Sequence, residues 1–535
     1  MELRLVYRIL RKISDWAVYS GYYSEVFVEG ADVVPKDAPI ILTPSHHNEL
    51  VDIAALAATL PHRRMVSFWA KSTTFKKPVL GHALESVGAI PVKRNPNKAD
   101  AAESNAALFD ASTVTLGQNK ALGVFPEGTS YTEPEIQQVL SGAGWAALEY
   151  MRSRGELKPV LIIPVGIVYT DKSRYRSRVH VEYGTPIDMA KYAPPALFEA
   201  GDEEAERAAV KAVMKEVEDQ LRALTINAPD WETLYAARMT RDILWTNDEN
   251  VKLKDWVVVG QTLVKLLSSA DDGVKNALTK YFALLQRTGI THAQLAILAP
   301  NLSKLPSRLF VFRFIFTFLR TILNPSFLLF VPPMIAHLPA YLCASLANVL
   351  APAGEEESRS QFKVFLGGFG TGIGAGATSY WATKLLTTRF LSESAGLEGK
   401  IALWSLTAWF LVKWHLLLVD SNYRRFKRLG AAFKILLGVL QPRSWELPAS
   451  KAALYEKPPI PASNPFLKNS SPGASFGGKA WLKAQPPAVA SRRMVFHLLR
   501  AREAAVDALG KYTEGQTRTE ERLLLALGGS FPRKP

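Results

Sequence analysis

The sequence predicts an α/β domain, a mixed sheet with helices, followed by a helical region and C-terminal transmembrane helices. Three observations predict this. Short apolar runs bounded by turn residues alternate with helical patterns to about residue 190. A soluble helical pattern then continues from 203 to 305. Beyond 307, uncharged apolar stretches reach the length needed to cross about 30 Å of hydrocarbon.

The elements follow in order. Over residues 1–30, Val6, Ile9, Leu10, Ile13, Trp16 and Ala17 share one helical face, while Arg4, Arg8, Arg11, Lys12 and Asp15 exclude a secretory signal core. An amphipathic interfacial helix is expected, lying on a membrane or packed on the catalytic domain. The catalytic domain is expected over 31–240. In it, Lys36-Asp37-Ala38-Pro39 makes a turn and 40–43 a strand. A helical run over 50–60 follows, for which Ser45 and Asn48 are suitable N-caps. Residues 160–169 are nearly all apolar, as in a strand buried on both faces. Over 203–224, Val210, Val213, Met214, Val217, Leu221 and Leu224 form one apolar stripe, expected to pack on the domain.

A helical accessory region over 241–306 precedes a membrane-embedded region over 307–440. There, 321–354 and 364–383 carry no charged residue, and Glu355-Glu356-Glu357 breaks the run between them. Pro332, Pro333 and Pro339 should kink the first span or make it re-entrant, and 401–419 is a third candidate. The glycines from Gly367 to Gly376 should let another helix approach closely. The basic run Arg424-Arg425-Phe426-Lys427-Arg428 is expected on the cytosolic side. Three simple crossings would conflict with that, so two crossings with an interfacial helix, or one extra crossing, stay open. Residues 441–490, rich in Pro, Ser, Ala and Gly, read as a solvated linker, and 491–535 as a basic helix and tail.

Composition narrows the function classes. At 535 residues and a formal charge of +15, the chain suits anionic lipid headgroups and phosphorylated substrates. No nucleic-acid module is recognisable, so no nucleic-acid partner is expected. A single cysteine, Cys343, leaves no intrachain disulfide and fits a reducing compartment. No cysteine pair or close histidine pair marks a metal site, so no metal is expected.

The stretch Ser45-His46-His47-Asn48-Glu49-Leu50-Val51-Asp52 carries the chemistry. An imidazole takes a proton from an attacking hydroxyl best when a carboxylate holds its tautomer. His47 has the H-x4-D spacing to Asp52, whereas His46 would need one more residue in the turn, so His47 is the expected base. Alone, the pair would favour the plainer reading of a capped helix beside a surface histidine. Three blocks follow it: Gly88 to Arg94, Leu122 to Ser130 with Phe125-Pro126-Glu127-Gly128, and the strand with Ile163-Pro164-Val165.

Together and in this order, these blocks resemble the acyl-CoA-dependent acyltransferases of glycerol phosphates, with H-x4-D, G-x-I-x-x-x-R and F-P-E-G motifs. Trp69-Ala70-Lys71-Ser72 and Lys77-Pro78-Val79-Leu80-Gly81 lead into the second block as in relatives. Arg174-Tyr175-Arg176-Ser177-Arg178 and Val181-Glu182-Tyr183-Gly184-Thr185-Pro186-Ile187 are similar to the fungal, membrane-bound glycerol-3-phosphate/dihydroxyacetone-phosphate branch. The resemblance is strong over 1–240. It implies His47 and Asp52 as catalytic pair and Arg94 on the substrate phosphate. Glu127, Gly128, Thr129 and Ser130 would shape the acceptor pocket, and Pro164 would lie in the block associated with acyl-CoA. One departure stands out: Ser130 and Tyr131 follow Thr129, where many relatives carry an arginine.

The resemblance implies acyl transfer to the first hydroxyl of glycerol 3-phosphate, with dihydroxyacetone phosphate as a further acceptor. Acyl-CoA would be the co-substrate, with no cofactor. The expected location is the endoplasmic reticulum membrane, multi-pass with a cytosolic catalytic domain, or the lipid droplet. Two rival readings stay open: acylation of lysophosphatidate or another lysophospholipid, and an inactive membrane scaffold.

Overall fold

The computed structural model describes residues 2–93, 101–153, 159–194, 197–198, 201–299, 307–389, 396–467, 478–514 and 518–532. The chain divides into two compact units. The first comprises Met1–Asn227, Leu253–Val257 and Ser463–Phe476; the second Ala228–Lys252, Val258–Ala462 and Gly477–Pro535.

The first unit is built on one mixed sheet. Its strands are β1 (Glu25–Glu29), β2 (Ile40–Pro44), β3 (Val66–Lys71), β4 (Ile90–Val92), β5 (Ala121–Gly123), β6 (Leu161–Tyr169), β7 (Arg178–Tyr183) and β8 (Ile187–Asp188). They run in the order β1-β7-β6-β2-β5-β3-β4, with β8 beside β6. β6, β2, β5, β3 and β4 are parallel, so their C-terminal ends share one edge. β7 runs antiparallel to β6, and β1 parallel to β7. The central strand β2 is buried along its whole length. Crevices outside the carboxyl ends of parallel strands are where open α/β sheets bind ligands.

Helices cover the sheet. The 203–224 stripe behaves as its periodicity predicts. In the helix Glu203–Leu224, Val210, Val213, Met214, Val217 and Leu221 join the core with Leu122, Ala147 and Ile162. Asp202 caps that helix, accepting from the Glu204 and Ala205 N–H groups. The N-terminal helix Glu2–Trp16 turns its polar face inward and leaves its apolar stripe outward. Tyr7 and Arg11 are buried, and the Arg11 guanidinium donates to the carbonyls of Arg64 (2.8 Å) and Leu60 (3.3 Å). Leu5, Ile9, Ile13 and Trp16 are exposed. The expected 1–30 segment also contains β1, which its alternation is too short to announce.

The second unit is helical where described. Helices Trp256–Ser268, Asp272–Thr288 and His292–Leu298 lie in the expected accessory region, whereas Trp231–Trp245 begins in the expected catalytic domain and belongs to the second unit. The expected span 321–354 is broken into the helices Ser307–Ile322, Pro325–Ala336 and Leu338–Leu350. The first two meet at a 64° bend. Asn324 caps the second from its own side chain, and Pro325 at its start carries no N–H to lose. Residues 364–383 lie within the 33-residue helix Glu357–Arg389. Its glycines give the close approach their spacing predicts: a Cβ at Gly374 would lie 2.1 Å from the Ala336 carbonyl oxygen. The 401–419 run and the basic run 424–428 share the single 44-residue helix Leu397–Leu440. Among the described residues this is the one helix long and apolar enough to cross a membrane, or one of two if the bent pair counts as a span.

The expected solvated linker, 441–490, is corrected where it is described. Leu447, Tyr455, Asn464 and Leu467 are buried, and the Tyr455 hydroxyl donates to the Pro487 carbonyl at 2.8 Å. Anchoring apolar and amide side chains outweigh the Pro and Ser content there.

Candidate active site

The C-terminal end of β2 runs into a turn that the adjacent strand holds in place. The Ser45 N–H donates to the Val165 carbonyl at 2.9 Å. The Ser45 hydroxyl accepts from the Ile167 N–H (2.9 Å) and donates to its carbonyl (3.3 Å). Ser45 is therefore spent on β6 and does not cap the following helix, nor does Asn48. Glu49 occupies the cap position with φ 48° and ψ −125°, a strained conformation outside the regions non-glycine residues favour. The helix Leu50–Thr59 begins directly after it.

That turn decides which histidine meets the carboxylate. Asp52 Oδ2 lies 3.0 Å from Nδ1 of His46, and no bond joins Asp52 to the His47 ring. The expected His47–Asp52 pair is thus corrected to His46–Asp52. The left-handed step at Glu49 takes up the extra residue that spacing alone had counted against His46. His47 instead presents its ring edge-on to Tyr131, with centroids 6.4 Å apart, and its carbonyl accepts from Lys172 Nζ at 3.4 Å.

Asp52 is wholly buried and accepts two further hydrogen bonds: the Asn48 N–H at 2.6 Å to Oδ2, and the Tyr169 hydroxyl at 2.7 Å to Oδ1. Burial, then the charge of Asp52 and the neighbouring Tyr23, push the Tyr169 phenol well above its ordinary range, so it stays a donor. The His46 Nδ1–H points to Asp52, which leaves Nε2 with its lone pair for a proton. The imidazole stacks on Phe125 at 4.1 Å between centroids, and Phe125 stacks on Phe68 at 6.1 Å.

The Phe125-to-Ser130 turn leaves β5, the parallel neighbour of β2, at the same edge. Glu127 is fully buried, and its Oε1 accepts the His46 backbone N–H at 2.7 Å, joining the two motifs. Glu127 Oε2 is buried, and the charge of Glu127 helps, after burial, to push the Tyr131 phenol above its ordinary range. Gly128 has φ +73°, and a Cβ there would meet Leu140 Cδ1 at 2.6 Å. Thr129 and Ser130 are mostly buried and are held by a residue from far along the chain. Asn464 Nδ2 donates to the Ser130 carbonyl (2.8 Å) and to Thr129 Oγ1 (3.3 Å). Pro164 is buried in the middle of β6, opposite Thr43 of β2. It stands where the other neighbour of β6 changes from β8 to β7, so its missing N–H interrupts no β6–β7 pair.

Cations gather at this edge. Lys71 ends β3, Lys93 follows β4, and Lys172 Nζ donates to Thr132 Oγ1 at 2.5 Å. Arg94 lies outside the described residues. The structure therefore brings His46, Asp52, Glu127 and the 128–130 turn together. Tyr169, Lys172 and Asn464 escaped the sequence reading. Tyr169 ends the apolar strand 160–169 as its one phenol, a signal of a kind; Asn464 gave none.

Residues 25–168 match the model of the Acyltransferase family. Among curated proteins, the chain is similar to Glycerol-3-phosphate O-acyltransferase 1 of Saccharomyces cerevisiae, 23% identical over 45% of this chain and 42% of that protein. It is also similar to Glycerol-3-phosphate O-acyltransferase 2 of the same yeast, 30% identical over 27% of this chain and 18% of that one. An uncharacterized acyltransferase of Schizosaccharomyces pombe is 29% identical over 24% of this chain and 18% of its own length. The chain thus spans less than half the length of the curated relatives it matches. The crystal structure of the 1-acyl-sn-glycerophosphate acyltransferase of Thermotoga maritima aligns with 41% of this chain and 80% of its own, at 20% identity and a TM-score of 0.27, too low to bear on the fold. The His46–Asp52 pair and the Phe125-to-Ser130 turn lie inside residues 25–168, and this chain carries there an acyltransferase-family domain related to those of fungal glycerolipid acyltransferases.

Proposed function

We propose that this protein transfers an acyl group from acyl-CoA to the sn-1 hydroxyl of glycerol 3-phosphate, with dihydroxyacetone phosphate as a further acceptor. The observation that carries the reading is the buried Asp52 holding His46 beside the Phe125-to-Ser130 turn. His46 Nε2 removes the hydroxyl proton as the oxygen attacks the thioester carbonyl. The tetrahedral intermediate collapses with loss of the CoA thiolate, and the imidazolium returns the proton to sulfur. Asp52 stabilises the transient imidazolium, and no protein nucleophile is needed.

The acceptor phosphate is assigned to the cationic edge, with Arg94 joined by Lys71, Lys93 and Lys172. Glu127 is assigned a positioning role, since its Oε1 is already engaged by the His46 backbone. Gly128, Thr129 and Ser130 line the acceptor side in this reading, and Pro164 supports the acyl-CoA side. The acyl product carries a chain that partitions into lipid, so a membrane location follows. The helix Leu397–Leu440 supports it, because only 11% of its most apolar stretch is buried within the protein. Leu397, Ile401, Leu406, Trp409, Phe410 and Leu417 are exposed along it. A cytosolic catalytic face at the endoplasmic reticulum fits the supply of both substrates.

The test is an assay of the purified full-length chain with labelled acyl-CoA and each acceptor in turn. Labelled lysophosphatidate from glycerol 3-phosphate is the expected product. Turnover with lysophosphatidate alone would reassign the acceptor, and no turnover with any acceptor would support a scaffold. Carbonate extraction checks the membrane part: release of the intact chain would overturn it.

A further inference from the structure

Away from the His46 turn, on the far side of β6, the sheet carries a second cluster. β1 and β7 pair in parallel with Glu29 opposite Glu182 and Phe27 opposite His180. Residues two apart on a strand face the same way, so His180 and Glu182 share one face and Glu29 joins them there. Two carboxylates directly opposite on neighbouring strands repel and destabilise the pairing. Something positive between them would remove that cost.

His180 is aimed at this gap. Its imidazole is 2% exposed, and Nε2 is buried with no hydrogen-bond partner among the described residues. Nε2 lies 3.8 Å from Glu29 Oε2 and 3.6 Å from Glu182 Oε2, too far for a hydrogen bond to either. Nδ1 lies 3.1 Å from the Leu253 carbonyl oxygen, which can only accept. Nδ1 therefore carries a proton, and Nε2 is the nitrogen that faces the carboxylates, where a metal ion would take its lone pair.

From these contacts we propose that Glu29, His180 and Glu182 bind a divalent transition-metal ion, Zn²⁺ being the best match. The three ligand atoms lie within 4.8 Å of one another. Zinc bonds of about 2.0–2.2 Å in a tetrahedron set ligand atoms roughly 3.4 Å apart. The His180–carboxylate distances thus need to close by only a few tenths of an ångström. Both glutamates have the freedom to do this, since their side chains are 53% and 29% exposed. An imidazole among the ligands disfavours Mg²⁺ and Ca²⁺, which take oxygen. The Leu253 carbonyl on Nδ1 is the orienting partner that metal-bound histidines have. Water completes the fourth position. The ion clips the edge strand β1 to β7 and has no part in acyl transfer, because β7 and β6 separate β1 from β2 in the sheet.

The test uses the full-length chain, free of any histidine tag and stripped with EDTA, then titrated with ZnCl₂. Metal content and melting temperature are read together. The expected result is one high-affinity Zn²⁺ per chain and a melting temperature that rises with zinc. Glu29→Gln/Glu182→Gln should fold, lose that equivalent and show no zinc-dependent melting shift. His180→Gln should weaken binding at least tenfold; should it fail to fold, the double variant alone decides. A wild-type chain that takes up no more zinc than the double variant would overturn the proposal.

Discussion

Separate substitution of the two adjacent histidines is the sharpest test of the site. His46 Nδ1 stands 3.0 Å from Asp52 Oδ2, so a protonated ring and the carboxylate would place their charges about 4 Å apart. At an effective dielectric near 20 that attraction is worth about 4 kcal/mol, and each 1.36 kcal/mol off a barrier is about tenfold in rate. Asp52→Asn keeps the shape and loses this stabilisation of the imidazolium, for an expected fall in kcat of about a thousandfold. His46→Ala should fall in the same range, since a lost general base costs about 10²–10⁴-fold. His47→Ala should stay within about tenfold of the wild type, because the contact this residue makes to Lys172 is through its carbonyl, which alanine retains. The assay is initial-rate acyl transfer by detergent-purified full-length chain, with circular dichroism to verify the fold. A folded His47→Ala that loses as much as His46→Ala, or an Asp52→Asn with near-normal kcat, would refute the assignment.

Three further outcomes are expected. Asn464→Ala, which removes two hydrogen bonds to the Thr129–Ser130 backbone and hydroxyl, should raise the acceptor KM by about fivefold with kcat nearly unchanged, at about 1 kcal/mol for a net hydrogen bond. Gly374→Ala should lower the melting temperature, by about 1–3 kcal/mol of overpacking against Ala336, whereas Gly372→Ala, where nothing lies within 4 Å, should not. His292 should make stability pH-dependent: burial, then Arg502, push it down to about 4. With a depressed folded pKa the unfolded chain binds the extra proton, so stability is full above about pH 6.5 and falls as pH drops toward 4. Acidification from pH 7 to 5 should cost about 2 kcal/mol more in the wild type than in His292→Gln, read from denaturant melts.

Much of this protein was legible in its sequence, because much of it rests on local period. The apolar run at 40–43 became β2, the 203–224 stripe became a core-facing helix, and the glycines near 370 became a close helix contact. The order of the motif blocks was enough to predict an acyltransferase-like α/β domain. Each of these depends on side chains three, four or two apart, or on residue types adjacent in the chain, and such spacing is written in the sequence.

What only the tertiary structure decided lies where the chain leaves that period or meets itself from afar. Spacing favoured His47, but a left-handed Glu49 and a Ser45 bonded to β6 rotate His46 onto Asp52. The N-terminal helix turns Arg11 inward, where its guanidinium donates to the carbonyls of Arg64 and Leu60, residues its own period could not name. Tyr169 reaches Asp52 across 117 positions, and Asn464 reaches Ser130 across 334. Glu29 joins His180 and Glu182 only because β1 pairs with β7 across the length of the domain. Periodicity describes which face a residue shares with its near neighbours. The rotation of an irregular turn, and the partners that long-range strand pairing supplies, are properties of the folded chain alone.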